Sequence, residues 1–199
     1  MKGEELICTK CMFEMPRSGY HLDPENPFFN KFKGRIPVKR VMTLFKFVKG
    51  SRVQHVLHAL KYKNQPELGV TLGRIYGNDL LQADFKGRFD LIVPVPLHAS
   101  RKRSRGYNQS EEFGKGLGEI LELECTDDVM KRRVRTTTQT RRSRLSRWEN
   151  VSTVFEVIKR DRVANQNVLL VDDVVTTGAT LDLNFSSGTP DIIEGTYQS

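Results

Sequence analysis

The sequence contains little cysteine and tryptophan, and it has no long apolar run. Three of its 199 residues are cysteines and one is tryptophan. An odd number of cysteines, in a chain whose start has no apolar signal core, argues against a disulfide framework and predicts a cytoplasmic protein. No stretch of about 18 apolar residues occurs, so no membrane span is expected.

Acidic residues are outnumbered by basic ones. Lysine and arginine total 32 against 24 aspartates and glutamates, which gives a net charge of +8. A mean hydropathy of −0.47 is typical of a soluble protein. The excess positive charge predicts anionic partners: phosphates, nucleotides or nucleic acid. The length predicts one domain with a small appendage.

The strongest functional signal is a short apolar run followed by two acids and a hydroxyl-rich loop. Residues 168–171 predict a buried strand of a parallel sheet, which is expected to end at Asp172 and Asp173. The loop 176–180 can turn backbone N–H groups towards a phosphate, and Gly178 permits close approach. Two acids beside a phosphate loop suit a sugar phosphate, whose hydroxyls would donate to the carboxylates.

This stretch resembles the phosphoribosyl pyrophosphate signature of type I phosphoribosyltransferases. The alternatives are a buried strand with a solvated loop, or the acid pair of a receiver domain. Receiver domains carry that pair near their start, whereas here it lies near the end of the chain. A Walker-type loop is excluded because no Gly-Lys-Ser/Thr follows the strand. The predicted substrate-binding residues are Asp172, Asp173, Thr176, Thr177, Gly178, Ala179 and Thr180.

A second predicted strand, at residues 90–96, is followed by a basic segment. Its cations lie just past the strand's carboxyl end, where arginine forks suit pairs of phosphate oxygens. A helix capped by Ser110 is expected next. The segment is predicted to be a pyrophosphate-binding loop, with a solvated basic turn as the alternative. The residues proposed to act in catalysis are Arg101, Arg103 and Arg105, beside Lys102.

Eight basic residues lie between positions 131 and 147, with almost no apolar periodicity. This pattern predicts a mobile loop or weak helix between two short strands, at 129–134 and 151–158. Such a loop can close over an anionic ligand and exclude water, or contact a nucleic-acid backbone. The predicted lid residues are Arg135, Gln139 and Arg147.

A CxxC pair, Cys8 and Cys11, stands near the start. Two thiolates at this spacing can form half of a tetrahedral zinc site. The second half is missing, since Cys125 is remote and His21 is only loosely placed as a third ligand. A redox pair would need a βαβ context, and a free thiol pair is the remaining alternative.

The segments between these motifs predict an irregular linker, one strand and two helices. Residues 16–37 are rich in proline and are interpreted as the linker, and residues 41–48 as a half-buried strand. The apolar stripe of residues 53–60 predicts one helix, and Pro66 opens the other.

Several segments together resemble the ComF-like phosphoribosyltransferases associated with competence. The resemblance implies an α/β type I phosphoribosyltransferase fold, with a central, mostly parallel sheet flanked by helices and a small N-terminal hood or zinc-ribbon remnant. It also implies a Mg²⁺-dependent phosphoribosyl pyrophosphate site, with the acids on the ribose diol, the loop on the 5′-phosphate and the arginines on the pyrophosphate. The matching segments are residues 58–63, 93–98, 105–110, 135–150 and the signature loop.

Two departures from that family are evident. One CxxC pair is present where similar members have two, so we expect that the natural start lies upstream and that the first pair was lost; Zn²⁺ binding at Cys8 and Cys11 stays one of the alternatives. After Thr180 a helix and a final strand are expected, yet the tail shows no helical stripe and contains Gly188, Pro190 and Gly195. A missing helix would weaken the phosphate site, expose the sheet and reduce stability. The predicted division is 1–37, a partial zinc ribbon; 38–181, the phosphoribosyltransferase-like domain; and 182–199, an atypical tail.

The leading functional hypothesis is a phosphoribosyltransferase, a pentosyl-transferring enzyme of nucleoside metabolism with an unknown acceptor. The alternative is a non-catalytic module of DNA uptake that binds single-stranded DNA or a competence helicase. A damaged gene product with neither function is the third reading.

Overall fold

The computed structural model describes residues 6–34, 38–132, 155–175 and 191–198. They form an α/β structure with a parallel sheet and flanking helices, so the predicted α/β class with a mostly parallel central sheet is confirmed, while the N-terminal zinc-ribbon remnant stays a prediction. The helices are α1 (Thr9–Glu14), α2 (Pro27–Phe32), α3 (Arg52–Tyr62), α4 (Pro66–Gln82), α5 (Ala99–Arg105) and α6 (Gln109–Leu121), with a 3-10 turn at Arg160–Arg162. The strands are β1 (Val41–Phe47), β2 (Leu91–Pro94), β3 (Met130–Arg132), β4 (Phe155–Val157), β5 (Val168–Val175) and β6 (Asp191–Gln198).

The main sheet has four parallel strands in the order β1-β6-β5-β2. Alternate residues of each strand face opposite sides, as the two-residue period requires. On β5, Leu169 and Val171 pack against α3, α4 and α6. Val168 and Leu170 pack against α2 and the β3–β4 pair. Because helices or strands cover both faces, this strand is a continuous apolar run.

β5 is longer than predicted. The sequence indicates that the strand ends at the acid pair, but it continues through Asp172 and Asp173 to Val175. The prediction was wrong because β6 supplies hydrogen-bonding partners beyond Val171, where β2 has already ended.

The tail of the chain contributes a strand that the sequence analysis did not predict. β6 lies between β1 and β5 and pairs in parallel with both. The tail therefore supplies the final strand that its sequence did not indicate. The expected loss of the preceding helix, and the exposure that would follow from it, concern residues outside the described part of the chain. Gly195 does not prevent pairing, because both neighbouring strands present backbone groups that require partners. The division at residues 37 and 181 stays a prediction.

The basic segment after β2 is a short helix, α5, where a loop was expected. His98 accepts a hydrogen bond from the Ser100 backbone N–H, and Gly106 ends the helix in the left-handed region at φ 83°. Within the predicted irregular linker, α2 is helical and places Phe28 and Phe32 in the core.

The helix predicted from the apolar stripe of residues 53–60 and the helix predicted to open at Pro66 are both confirmed, and they span Arg52–Tyr62 and Pro66–Gln82. The prediction that Ser110 caps α6 was wrong: the N-cap is Asn108, whose side chain accepts a hydrogen bond from the Ser110 N–H. Among the described residues, no helix has both the length and the apolar character that a membrane crossing requires.

Helices α4 and α6 approach each other closely through glycines. A Cβ on Gly73 would lie 2.1 Å from the Phe113 carbonyl oxygen. A Cβ on Gly116 would lie 2.1 Å from the Val70 carbonyl oxygen. The contact therefore brings backbone against backbone, and it fixes the start of α6 beside the end of β5.

Candidate functional site

The carboxyl ends of β2 and β5 lie side by side and bring the acid pair next to the basic helix. Pro94 is in register with Val171, and the Val95 N–H donates to the Val171 carbonyl oxygen at 2.8 Å. Asp172 follows directly on one strand, and the chain leading to α5 follows on the other. Ligands of open α/β sheets bind at this edge.

Asp172 is held in a hydrogen-bonded, partly buried position. The Ser110 hydroxyl donates to Asp172 Oδ1 at 3.1 Å, and the Asp173 backbone N–H donates to the same oxygen at 2.7 Å. Burial, followed by the charge of Asp173, raises the pKa of Asp172 to about 7, against the lowering effects of these hydrogen bonds and of Lys61. Because its charged form is disfavoured, a hydroxyl donor or a cation that approaches this carboxylate would stabilise it.

Asp173 forms an ion pair with Lys61. The ammonium of Lys61, near the end of α3, lies 2.8 Å from Asp173 Oδ2, and both side chains are largely shielded from solvent. The sequence analysis assigned no role to Lys61, although it lies in a segment that carries the family resemblance. Lys61 therefore adds a cation to Arg101, Arg103 and Arg105 of the basic segment.

A pocket of about 750 Å³ opens between the end of α3 and α5. The structure brings Arg101, Arg103 and Arg105 together with Lys61 along its wall. Lys102 instead pairs with Asp127 at 3.0 Å, and that hydrogen bond is the main cause of its raised pKa. The remaining lining residues are Tyr62, Asn64, Ser104 and Gly106.

The segment from Arg105 to Ser110 connects the parts of this site. The Arg105 guanidinium donates to Gln109 Oε1 at 2.5 Å. The Tyr107 hydroxyl donates to the carbonyl oxygen of Leu60 at 2.5 Å, which ties the segment before α6 to the last turn of α3.

Asn108 and Ser110 complete these connections towards the sheet. The Asn108 side-chain amide donates to the Val95 carbonyl oxygen at 2.9 Å, just past β2. With the Ser110–Asp172 hydrogen bond, α6 is thus attached to both strand ends. This segment carries part of the family resemblance, but nothing local in the sequence reveals the partners of these hydrogen bonds.

β3 brings a further cation to the same region. Burial is the main cause of the lowered pKa of Arg132, Arg101 adds to that lowering, and Asp172 opposes it. Its guanidinium also lies over the Phe155 ring of β4, at 5.3 Å. The β3–β4 pair therefore flanks the site at the two ends of the segment predicted as a lid.

Two sets of predicted residues lie outside the described part of the chain. They are the phosphate loop Thr176, Thr177, Gly178, Ala179 and Thr180, and the lid residues Arg135, Gln139 and Arg147. Their roles stay predictions.

Cys8 and Cys11 lie at the start of α1. The Cys11 N–H donates to Cys8 Sγ at 3.4 Å, and this contact is the first cause of the lowered pKa of Cys8. The Arg52 guanidinium donates to Cys11 Sγ at 3.0 Å. His21 instead packs edge-on against Tyr76, with ring centroids 5.6 Å apart. Within the described ranges no three Cys, His, Asp or Glu residues gather as metal ligands, so zinc binding stays a prediction.

The geometry defines a class of protein: an α/β domain with a cationic pocket next to an acid pair at the carboxyl edge of a parallel sheet. Comparison with known sequences finds several similar proteins. Over 131 residues, 64% of this chain, it is 31% identical to "Competence protein F" of Haemophilus influenzae and spans 57% of that protein. Over 183 residues, 90% of this chain, it is 27% identical to "DNA utilization protein YhgH" of Escherichia coli K12 and spans 76% of it.

A third relative is "Competence protein ComFC" of Bacillus subtilis, 29% identical over 93 residues, which are 46% of this chain and 35% of that protein. The chain is similar to these competence and DNA utilization proteins, in agreement with the ComF resemblance of its motifs. No protein-family model matches it. Among solved structures, "Structure of the allosteric regulatory enzyme of purine biosynthesis" aligns with a TM-score of 0.42 and 17% identity, over 70% of this chain and 29% of that chain.

Proposed function

We propose that this chain binds phosphoribosyl pyrophosphate with Mg²⁺ and transfers its phosphoribosyl group to an acceptor. The observation that supports this proposal most directly is the juxtaposition of the acid pair with the cationic pocket at one sheet edge. A ligand with a diol at one end and phosphates at the other matches both halves. A ligand with only a diol would not need the cations, and a ligand with only phosphates would not need the acid pair.

In this proposal the ribose hydroxyls donate to Asp172 and Asp173. Asp172 is oriented by Ser110, and Asp173 by Lys61. Because burial disfavours the charge on Asp172, hydrogen bonds from a diol would be strong there.

The pyrophosphate would lie against the arginines of α5. During transfer the acceptor forms a bond to ribose C1 while the bond from C1 to the pyrophosphate oxygen breaks. Pyrophosphate departs with the bonding electrons, and Arg101, Arg103 and Arg105 stabilise the charge that develops on it. No side-chain nucleophile is needed.

The residues present fit Mg²⁺, which prefers oxygen ligands and keeps several waters. Asp172 and Asp173 would hold the ion, directly or through the ribose hydroxyls. When bound, Mg²⁺ would neutralise charge on the leaving pyrophosphate.

Calorimetric titration of the full chain with phosphoribosyl pyrophosphate and Mg²⁺ tests this function. We expect binding by the wild type and its loss in the Asp172→Asn, Asp173→Asn double variant. Asp161→Asn, the same change at an exposed residue of the 3-10 turn, is the matched control and should bind normally. Folded wild-type protein that gives no heat at millimolar ligand would contradict the proposal.

A second candidate function is binding of single-stranded DNA. The exposed cations Arg101 and Arg103 support it, and the related proteins are named for competence and DNA utilization. Phosphate contacts by such cations make affinity fall steeply with salt. Fluorescence anisotropy with a labelled oligonucleotide at several salt concentrations should show that slope, which should decrease by about 2 in the Arg101→Gln, Arg103→Gln double variant. An unchanged slope would contradict this function, and the Asp172→Asn, Asp173→Asn variant should bind DNA normally.

A further inference from the structure

Tyr62 presents an exposed aromatic ring at the rim of the cationic pocket. It is the last residue of α3, and 68% of its surface is accessible. One exposed aromatic ring is common on protein surfaces, but the surroundings of this ring are specific. The Arg105 guanidinium carbon lies 5.6 Å from its centroid, and Arg101 and Arg103 line the same pocket.

The backbone that carries Tyr62 is held firmly. The preceding residue, Lys61, pairs with Asp173, and the carbonyl oxygen of Leu60 accepts the Tyr107 hydroxyl. The ring of His58, one turn earlier, lies 4.8 Å from the Tyr62 ring. A tyrosine has only two side-chain torsions, so this ring can be covered by a ligand at a low entropic cost.

A tyrosine ring beside several guanidinium groups matches the chemistry of a nucleobase next to a phosphate. Bases stack on aromatic faces and on arginine planes, while phosphate oxygens pair with the cations. We infer that Tyr62 is a stacking surface for the nucleobase of a ligand whose phosphate occupies the cationic pocket. This inference rests on the proposed phosphate binding, and it assigns a planar base to the ligand or acceptor.

Free nucleotides and single-stranded nucleic acid share this chemistry, and two sets of probes separate them. For the first, adenosine 5′-monophosphate is compared with ribose 5-phosphate, which lacks the base. For the second, a thymidine decamer is compared with an abasic decamer. Affinities are measured on the full chain by calorimetry or anisotropy, with phosphoribosyl pyrophosphate as a separate ligand.

The wild type should bind the base-bearing member of at least one pair about tenfold more tightly. Tyr62→Ala should reduce that preference to near one, and a cooperative thermal melt close to that of the wild type checks that the variant is folded. Tyr62→Phe should retain the preference. Phe13→Ala, at a 91% exposed aromatic residue of α1, is the control and should also retain it.

A wild type without any preference for the base, or a preference that survives in Tyr62→Ala, would overturn the inference. If the base preference depends on Tyr62 but phosphoribosyl pyrophosphate does not bind, only the proposed enzyme function fails. If that ligand binds and the base preference is absent, only the role of Tyr62 fails. A chain that binds none of these probes would overturn both.

Discussion

The ammonium of Lys61 lies 2.8 Å from a carboxylate oxygen of Asp173, and this ion pair joins the end of α3 to β5. It also places a cation between the acid pair and the pocket that contains the α5 arginines. The contact links the two halves of the candidate site, because Asp173 belongs to the acid pair and Lys61 also lines the cationic pocket.

Lys61→Gln should weaken both stability and ligand binding. The side chains of Lys61 and Asp173 are 24% and 20% exposed, so removal of the ammonium takes a cation from a partly buried carboxylate. We expect the free energy of unfolding, measured by urea denaturation, to fall by about 1–2 kcal/mol. We also expect roughly tenfold weaker binding of phosphoribosyl pyrophosphate, equivalent to about 1.4 kcal/mol. Lys63→Gln, an exposed neighbour, should change neither quantity, and equal effects from both variants would contradict a specific role for the ion pair.

Asp172→Asn should stabilise the protein at pH 8 while it abolishes diol binding. The pKa of Asp172 is about 7 in the folded protein and about 3.9 when unfolded. Between those two pKa values the native state binds more protons than the unfolded state, so the free energy of unfolding of the wild type falls as pH rises towards 7. Above pH 7 Asp172 is ionised in both states, and the whole destabilisation remains. Asp172→Asn has no carboxylate to ionise, so its free energy of unfolding should exceed that of the wild type by about 1–2 kcal/mol at pH 8. This difference should disappear near pH 4.

Thermal melts across that pH range check this prediction, with Asp161→Asn as the control that should follow the wild type. A constant difference between Asp172→Asn and wild type at every pH would contradict the raised pKa. The same ionisation predicts that the wild-type affinity for phosphoribosyl pyrophosphate rises with pH through about 7.

Tyr107→Phe should loosen the end of α3. The variant loses the hydroxyl that donates to the Leu60 carbonyl oxygen but keeps the ring in the core. We expect a loss of about 1 kcal/mol in the free energy of unfolding. Ligand affinity should also fall, because Lys61 directly follows Leu60, whose carbonyl oxygen loses its hydrogen-bond donor. Normal affinity in a destabilised variant would show that this hydrogen bond only supports folding.

Gly116→Ala should be strongly destabilising. The added methyl group would lie 2.1 Å from the Val70 carbonyl oxygen, so α4 and α6 would have to separate. We expect a loss of about 3 kcal/mol or more, as in other overpacked cores. Gln82→Ala, at an exposed position of α4, is the control and should be nearly neutral. Similar melting temperatures for both variants would argue against the close helix contact.

Much of the local structure was predictable because it depends on short-range patterns. The apolar stripe of α3, the proline that opens α4 and the buried run of β5 all appear in the sequence at the period of the element that forms. α5 was missed because its seven residues have no buried face. Its helix depends on a cap at each end and on the helical propensity of arginine and lysine, a weaker signal than apolar periodicity.

Partners distant in sequence were not predictable. Ser110 and Asp172 are 62 positions apart, and they meet only because α6 packs across α4 and the sheet. The Asp191–Gln198 segment is a similar case, since a continuous central strand forms there although it contains Gly195. The backbone groups of two neighbouring strands decide that outcome.

The sequence by itself determined which chemical groups the site contains. Two acids follow a buried run, cations follow another strand, and these short motifs also carry the resemblance to the ComF family. Only the tertiary structure decided how those groups are combined: Lys61 on Asp173, Ser110 on Asp172, and Tyr62 beside Arg105. The physical reason is that side-chain period and charge are local properties, whereas the strand order and the close contact of α4 with α6 set which distant groups meet.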